Sequence, residues 1–183
     1  MEIEKTFIKK QNLFISRIKT NHYKIDMTFE NPQLLMEKIL NFNLIKLIFE
    51  INKSNFEVSH LEEHENGKEA NMYLLVKPLF KDLGFFQRYI SLHLTQYEDN
   101  GSIQFSGVAF PEYGETHNKC RNAIATPVKE MHISSFLYNP HKLTLNIQII
   151  LEDAFEMSSL FEKIFIALLK KNNLQLIEFI EKL

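Results

Sequence analysis

Two histidines four residues apart, His60 and His64, have the spacing with which a helix presents two zinc ligands on one face. The segment 56–64 instead reads as a strand that ends in a turn, and the 56–79 hairpin has similar hydrophobicity on both faces, so its orientation stays open. In a strand, residues i and i+4 lie about 13 Å apart, which is too far for both to bind one metal ion. We therefore expect both histidines on a solvated strand and turn, and no metal site.

Other reactive side chains lack the partners that catalysis requires. His132 lies near Ser134 and Ser135, but the chain has no Gly-x-Ser-x-Gly elbow, and His132 alternates with Glu130 on the expected outer face. Cys120 lies in a polar segment, and one thiol alone is weak support for a reactive site. A glycine-rich phosphate loop is also absent. These patterns predict no catalytic residues and no cofactor.

Arg88 stands out because it shares a strand face with the apolar residues Phe86, Ile90, Leu92 and Leu94. A buried guanidinium is costly unless it is paired. Two interpretations are open: Arg88 lies in solvent at the strand end, or it anchors the polar head of a ligand. Its candidate polar companions on the neighbouring hairpin are Tyr73, His60 and Glu62.

The whole-chain composition is that of an ordinary globular protein. The 183 residues include 21 Lys and Arg against 23 Asp and Glu, so the net charge of -2 gives no general reason to bind nucleic acid. A single cysteine favours a reducing compartment, and neither a signal-peptide pattern nor a long apolar run is seen. These features predict one cytoplasmic domain spanning residues 1–183.

The elements that must position these side chains follow from the hydrophobic period. Two strands precede a helix, which we expect to begin at Asn31-Pro32 and to continue through Phe42, with a break near 41–49. The segment 112–125 reads as a loop. The strands after the helix are expected at 56–64, 69–79, 85–97, 102–111, 126–137 and 142–151.

Asn-Gly pairs at 66–67 and 100–101 predict hairpin turns. The second turn would pair Asp99 with Ser102, and this register separates a polar face from an apolar one. The polar face carries His93, Thr95, Tyr97, Gln104 and Ser106. The apolar inner face carries Ile90, Leu92, Leu94, Ile103, Phe105, Gly107 and Ala109, and the following strands add Met131, Ile133, Ser135, Leu137, Leu145, Ile147 and Ile149.

After Glu152-Asp153 the period becomes helical, with an apolar stripe from Met157 to Leu169. A helix of about 28 residues is long enough to cross a sheet, although Asn172-Asn173 is expected to bend or fray it. Successive hairpins followed by a long helix predict an α+β fold with an antiparallel sheet and its helices on one face.

This order of elements resembles the START domains and the wider SRPBCC superfamily, whose helix-grip fold wraps a curved antiparallel sheet around a long C-terminal helix. The resemblance covers nearly the whole chain from Leu13. The tryptophan that the family usually has in the segment at 44–49 is absent here. The acidic residue that the family usually has in the segment at 84–90 is also absent. The segments that carry it are 44–49 (LIKLIF), 84–90 (GFFQRYI), 98–102 (EDNGS) and 143–149 (LTLNIQI).

The resemblance implies non-enzymatic binding or transfer of a lipid or similar apolar small molecule in an internal cavity. Entry would require opening of the C-terminal helix or of the 112–125 segment, with transient membrane contact. Without the resemblance, the same inner-face residues are expected to form an ordinary core. The implied ligand-binding residues are Tyr73, Arg88, Ile90, Leu92, Phe105, Met131, Ile133, Ile147, Phe161 and Phe165.

Two alternatives stay open at this point. One is a cyclase or aromatase-type enzyme of the same superfamily, which would need polar groups poised for proton transfer in the cavity. Its candidates are Arg88, His60 and Tyr73. The other is a protein-interaction module of the co-chaperone type, which a large exposed apolar patch would favour.

Overall fold

A computed structural model describes residues 4–78, 86–99, 102–118 and 122–183. Within these ranges the strands form one sheet in the order β1-β2-β3-β10-β9-β7-β6-β5-β4, with every neighbouring pair antiparallel; β8 adds a short parallel pairing with the start of β6. The strands are β1 Lys5–Lys10, β2 Leu13–Lys19, β3 His22–Glu30, β4 Phe56–Glu63, β5 Glu69–Val76, β6 Arg88–Asp99, β7 Ser102–Ala109, β8 Ile124–Ala125, β9 Val128–Asn139 and β10 Lys142–Leu151.

Three α-helices accompany this sheet in the described ranges: α1 Phe42–Ile51, α2 Pro111–Asn118 and α3 Ser159–Lys182. A short 3-10 helix, Met36–Ile39, precedes α1. Helices α1 and α3 pack against the inner face of the sheet, and α2 packs on the outer face over β5 and β6. The predicted α+β architecture, an antiparallel sheet with a long C-terminal helix, is confirmed. The expectation that all helices share one face is wrong because α2 lies on the other.

The predicted strand faces are confirmed at the centre of the sheet. Asp99 pairs with Ser102, as the expected hairpin register requires, although Asn100 and Gly101 of the turn lie outside the described residues. Tyr23, Ile25, Met27 and Phe29 of β3 are all buried on the inner face, as period-2 alternation predicts. They lie beside the buried Leu143, Leu145 and Ile147 of β10.

The predicted helix start at Asn31 is wrong. The Asn31 side chain accepts a hydrogen bond from the Gln33 backbone N–H at 2.8 Å, and this local turn competes with helix formation. Its amide also donates to the Ile180 carbonyl at 2.7 Å, which ties the end of β3 to α3. Helix α1 instead begins after Asn41, whose side chain accepts from the Asn43 N–H at 2.7 Å.

Three further expectations are corrected. Strand β1 was not predicted, and it pairs with β2 at the edge of the sheet. The expected loop 112–125 contains most of α2 and all of β8. Helix α3 has 24 residues and runs without a break through Asn173, whose side chain donates back to the Leu169 carbonyl at 2.7 Å. That bond satisfies the amide, so Asn173 does not interrupt the helix.

Candidate ligand cavity

An apolar cavity of about 220 Å³ lies between the inner face of β5 and β6 and the N-terminal half of α3. It is smaller than the roughly 300–1,000 Å³ of pockets that hold drug-sized ligands. Its polar lining is limited to a few side chains at the two ends. The lining residues are Asn55, Phe56, Leu74, Val76, Lys77, Phe86, Gln87, Arg88, Ile90, Thr126, Leu151, Phe155, Met157, Phe161, Ile164, Phe165, Leu168, Leu169 and Asn172.

The sheet side of the cavity is built by a cross-strand pair. Leu74 of β5 lies directly opposite Ile90 of β6, so both point to the inner face. The orientation of the 56–79 hairpin could not be read from the sequence, because β5 is buried on both faces: Leu74 contacts the main core and Leu75 a separate outer cluster. Leu74 and Val76 are therefore cavity residues that sequence reasoning missed.

The helix side of the cavity is the apolar stripe predicted for α3. Phe161, Ile164, Phe165 and Leu168 are only half-buried, although they face the protein interior. The C-terminal half of the same helix is packed tightly, with Leu176, Ile177 and Ile180 almost fully buried. The helix thus grips the sheet at its C-terminal end and covers open space at its N-terminal end.

Arg88 lies at one end of the cavity, which we call the mouth because Phe86 beside it is 67% exposed. The guanidinium donates to the Ala125 backbone carbonyl of β8 at 3.1 Å, and its carbon lies 6.0 Å from the centre of the Phe161 ring. Among the described residues, no carboxylate is paired with it. Arg88 thus lies at a strand end and also lines the cavity.

The far end of the cavity is closed by two amides. The Asn55 side chain donates to the Asn172 side chain at 2.8 Å, which joins the start of β4 to α3. Lys171 donates to the same Asn55 side chain at 3.2 Å. These groups partner each other across the closed end.

The structure places four of the ten predicted ligand-binding residues on the cavity: Arg88, Ile90, Phe161 and Phe165. Five others lie on the same inner face but outside it, in the packed core: Leu92, Phe105, Met131, Ile133 and Ile147. Phe42 of α1 packs on Phe105 at 5.6 Å between ring centres, so α1 occupies the space expected for a ligand. Gly107 leaves no open space on this face, since a Cβ there would lie 2.8 Å from Leu94 Cδ2.

The tenth residue, Tyr73, lies on the outer face of the sheet, so its placement in the cavity was wrong. It belongs to an outer aromatic cluster of Tyr73, Tyr89, Tyr113 and His117, which α2 covers. His60 also stacks on this cluster, 5.4 Å from His117 between ring centres. His60 and Tyr73 are cross-strand partners on this outer face, whereas Arg88 lines the inner cavity, so the three enzyme candidates do not share one site.

Two tyrosines of the outer cluster, Tyr113 and Tyr89, have raised pKa values. Burial, together with the nearby Glu62 carboxylate, raises the pKa of Tyr113 to about 12. Burial also raises the pKa of Tyr89, and Glu115 adds to the shift. Both tyrosines thus stay protonated far above neutral pH. Gly114 lets α2 approach closely, because a Cβ there would lie 2.6 Å from Tyr89 Cε2.

A buried ionic cluster holds the N-terminal half of α3 to the sheet. The Glu162 carboxylate accepts from Arg17 at 2.6 Å and from the Tyr23 hydroxyl at 3.0 Å, with Lys5 at 3.5 Å. Burial, with the nearby Glu162 charge, raises the pKa of Tyr23 to about 12. The apolar stripe of α3 gives no sign of this cluster, because Glu162 is a charged residue between Phe161 and Ile164 of the stripe.

A second depression lies elsewhere on the described part of the chain. A shallow groove of about 500 Å³ lies between α1 and α3, but charged ends such as Glu50, Lys53 and Lys182 line it and it is open to solvent. No three His, Cys, Asp or Glu side chains within the described ranges converge as metal ligands, and Cys120 lies outside those ranges. None of the described helices is both long and apolar enough to cross a membrane.

Comparison with known proteins gives similarity in structure only. No protein-family model and no curated protein sequence matches the chain. The lipid transfer and protein localization domain of human StarD13 (DLC2) superposes with a TM-score of 0.74 at 12% identity, covering 100% of this chain and 91% of that one. Human STARD10 follows with a TM-score of 0.71 at 8% identity, covering 97% and 72%.

A structure of the Zhui aromatase/cyclase from Streptomyces is also similar, with a TM-score of 0.51 at 12% identity, covering 88% of this chain and 91% of that one. Identities this low establish the fold and no more. The strand order, the placement of α3 and the StarD13 and STARD10 superpositions agree with the predicted resemblance. The chain therefore has the START-like helix-grip fold, an antiparallel sheet held against a long C-terminal helix.

Proposed function

We propose that this protein binds a lipid or similar apolar small molecule in the cavity between β5, β6 and α3, and carries it without chemical change. The observation that supports this most is the cavity itself, whose walls are apolar and whose mouth holds Arg88 without a carboxylate partner among the described residues. An apolar pocket with a few placed polar groups is the usual form of a small-molecule site. The similarity to human lipid transfer domains agrees with this proposal.

The ligand would occupy less of the inner face than the fold suggests. Leu92 and Phe105 lie in the packed core and would support the cavity from below rather than touch the ligand. Direct contacts would come from Ile90 on the sheet and from Phe161 and Phe165 on the helix. The single cysteine of the sequence favours a reducing compartment, so we place this activity in the cytosol.

The mouth also fits transient contact with a membrane. Phe86 and Ile124 flank Arg88 and are 67% and 41% exposed, and Leu160 in the first turn of α3 is 59% exposed. Apolar side chains around the opening of an apolar cavity would let a ligand leave a bilayer without crossing water. We propose that these three residues touch the membrane during loading and release.

Native mass spectrometry and lipid extraction of the purified protein test the proposal. We expect a retained apolar molecule in the wild-type protein and its loss in Ile90→Trp, whose larger side chain fills the cavity. Val108→Trp is the matched control, because Val108 lies on the outer face of the neighbouring strand and is exposed. Failure of the wild-type protein to retain or take up any apolar molecule from vesicles would refute the proposed function.

A further inference from the structure

We infer that the ligand is a single-chain amphiphile with a negatively charged head group, bound with its head at Arg88 and its chain along α3. This inference rests on the proposed function and narrows it to one chemical class. Two kinds of ligand have this chemistry, a fatty carboxylate and a single-chain phosphate, because each has an anionic head group. Lipids with a neutral head group and lipids with two chains do not belong to the class.

The charges that line the cavity favour an anion. Among the described lining residues, the ionisable side chains are Lys77 and Arg88, both cationic, and none is a carboxylate. Of the described acidic residues near the lining, Glu57 accepts from Gln87 at 2.7 Å, and Glu162 is held by Arg17 and Tyr23. A head group at the mouth therefore meets a guanidinium that has no carboxylate partner among the described residues.

Arg88 has the geometry to bind that head. One hydrogen bond to the Ala125 carbonyl uses only part of its donor capacity, and the Phe161 ring lies near the guanidinium. The restraint from β8 and the ring preorganises the side chain at the mouth. A planar guanidinium held in this way matches a carboxylate or phosphate with two parallel hydrogen bonds. A neutral hydroxyl head would leave the charge without a partner.

The shape of the cavity favours one chain. Its helix wall extends from Phe161 to Asn172, a rise of about 16 Å at about 1.5 Å per residue. A volume of about 220 Å³ lies below the roughly 300–1,000 Å³ of pockets for drug-sized ligands, which favours one chain over two. The Asn55–Asn172 pair lies at the far end, where Lys171 also donates to Asn55, so these polar side chains mark the limit of the apolar wall.

Isothermal titration calorimetry with four probes tests the inference: dodecanoate, dodecyl phosphate, dodecanol and didodecanoyl phosphatidylcholine. We expect the wild-type protein to bind the two anionic probes at least about tenfold more tightly than dodecanol. The two-chain probe should bind more weakly than either. The ratio between dodecanoate and dodecyl phosphate then assigns the head as carboxylate or phosphate.

Arg88→Gln should remove the preference for the two anionic probes over dodecanol. Lys129→Gln is the control, because it removes the same charge from a surface lysine outside the cavity. Equal wild-type affinities for dodecanoate and dodecanol would overturn the inference while leaving the proposed function intact, and they require no variant to fold. Tighter binding of the two-chain probe would likewise overturn it. If no probe binds and no apolar ligand is retained, the proposed function itself fails.

Discussion

The Tyr23 hydroxyl donates a hydrogen bond of 3.0 Å to the buried Glu162 carboxylate, and its ring packs edge-on against Phe165 at 5.1 Å. Phe165 lines the cavity and Glu162 lies in the first turn of α3. Strand β3 thus holds the open half of the helix by a polar contact at its start and a ring contact one turn later. This arrangement keeps the helix over the cavity without filling it.

Replacement of Tyr23 by Phe should change the response of stability to alkaline pH. The folded pKa of Tyr23 is raised from 10.0 to about 12, so unfolding releases a proton between these values. Wild-type stability is therefore fully present below pH 10 and falls as the pH rises toward about 12, by about 2 kcal/mol from this group. Urea unfolding at several pH values should show a shallower fall in Tyr23→Phe.

The same variant should lose about 1 kcal/mol at neutral pH, because Glu162 keeps Arg17 but loses one donor. Tyr138→Phe is the control, since Tyr138 is 61% exposed. Tyr113, with its pKa raised to about 12, accounts for alkaline sensitivity that persists in both variants. Identical alkaline profiles for wild type and Tyr23→Phe would contradict the role given to the Glu162 contact.

Truncation of core and cavity residues should have unequal costs. Leu92→Ala removes a side chain that is 1% exposed and is expected to lower the free energy of unfolding by about 2–5 kcal/mol. Leu168→Ala removes the same atoms from a half-buried residue beside existing space, so we expect a loss of about 1 kcal/mol. Denaturant unfolding of the ligand-free protein compares them. A cost for Leu168→Ala equal to that for Leu92→Ala would show that the cavity is closed by packing in solution.

Gly114→Ala should loosen α2. The new methyl group would lie 2.6 Å from Tyr89 and 2.8 Å from the Ser91 side chain, so the helix must move outward. We expect a loss of about 1–3 kcal/mol from overpacking, seen as faster amide hydrogen exchange in α2. Glu115→Ala, at the exposed next position, should change stability by less than about 0.5 kcal/mol. Unchanged exchange in Gly114→Ala would argue against close packing of α2 on β6.

The proposed membrane contact predicts slower transfer from Phe86→Ser and Leu160→Ser. Each variant removes an exposed apolar side chain at or beside the mouth. Transfer of a fluorescent fatty acid between vesicles should slow several-fold, while equilibrium affinity for the free probe stays the same. Phe136→Ser, which removes a 54% exposed phenylalanine from β9 on the outer face, should transfer normally. A similar slowing in all three variants would contradict a contact specific to the mouth.

Sequence periodicity predicted the strands well where one face is buried. Residues 22–30 and 142–151 each alternate cleanly, and their burial follows that alternation. The periodicity failed at β5, because Leu74 and Leu75 are buried on opposite faces of the sheet and apolar residues therefore do not alternate with polar ones. The face of the sheet on which Tyr73 lies follows from the register between β5 and β6. The sequence of the connecting segment 77–87 does not indicate that register.

The extent of the cavity was beyond sequence reasoning for a different reason. Leu92 and Ile90 have the same residue class and the same face, yet only Ile90 lines open space. The position of α1 decides which of the two residues lines open space. The start of α1 was predicted wrongly, because Asn31-Pro32 resembles a helix start. The inner face was predictable from local pattern, whereas its division into core and cavity depends on a distant helix.

The hydrogen bond that restrains Arg88 ends on the main-chain oxygen of Ala125, and β8 is joined to β6 through main-chain atoms. An alanine scan of the cavity would therefore pass over this restraint, because the oxygen is present whichever side chain stands at position 125. Natural sequence variation at 124 and 125 would be equally uninformative about it. The restraint becomes accessible to experiment through main-chain changes, such as an ester linkage or a shortened segment between α2 and β9.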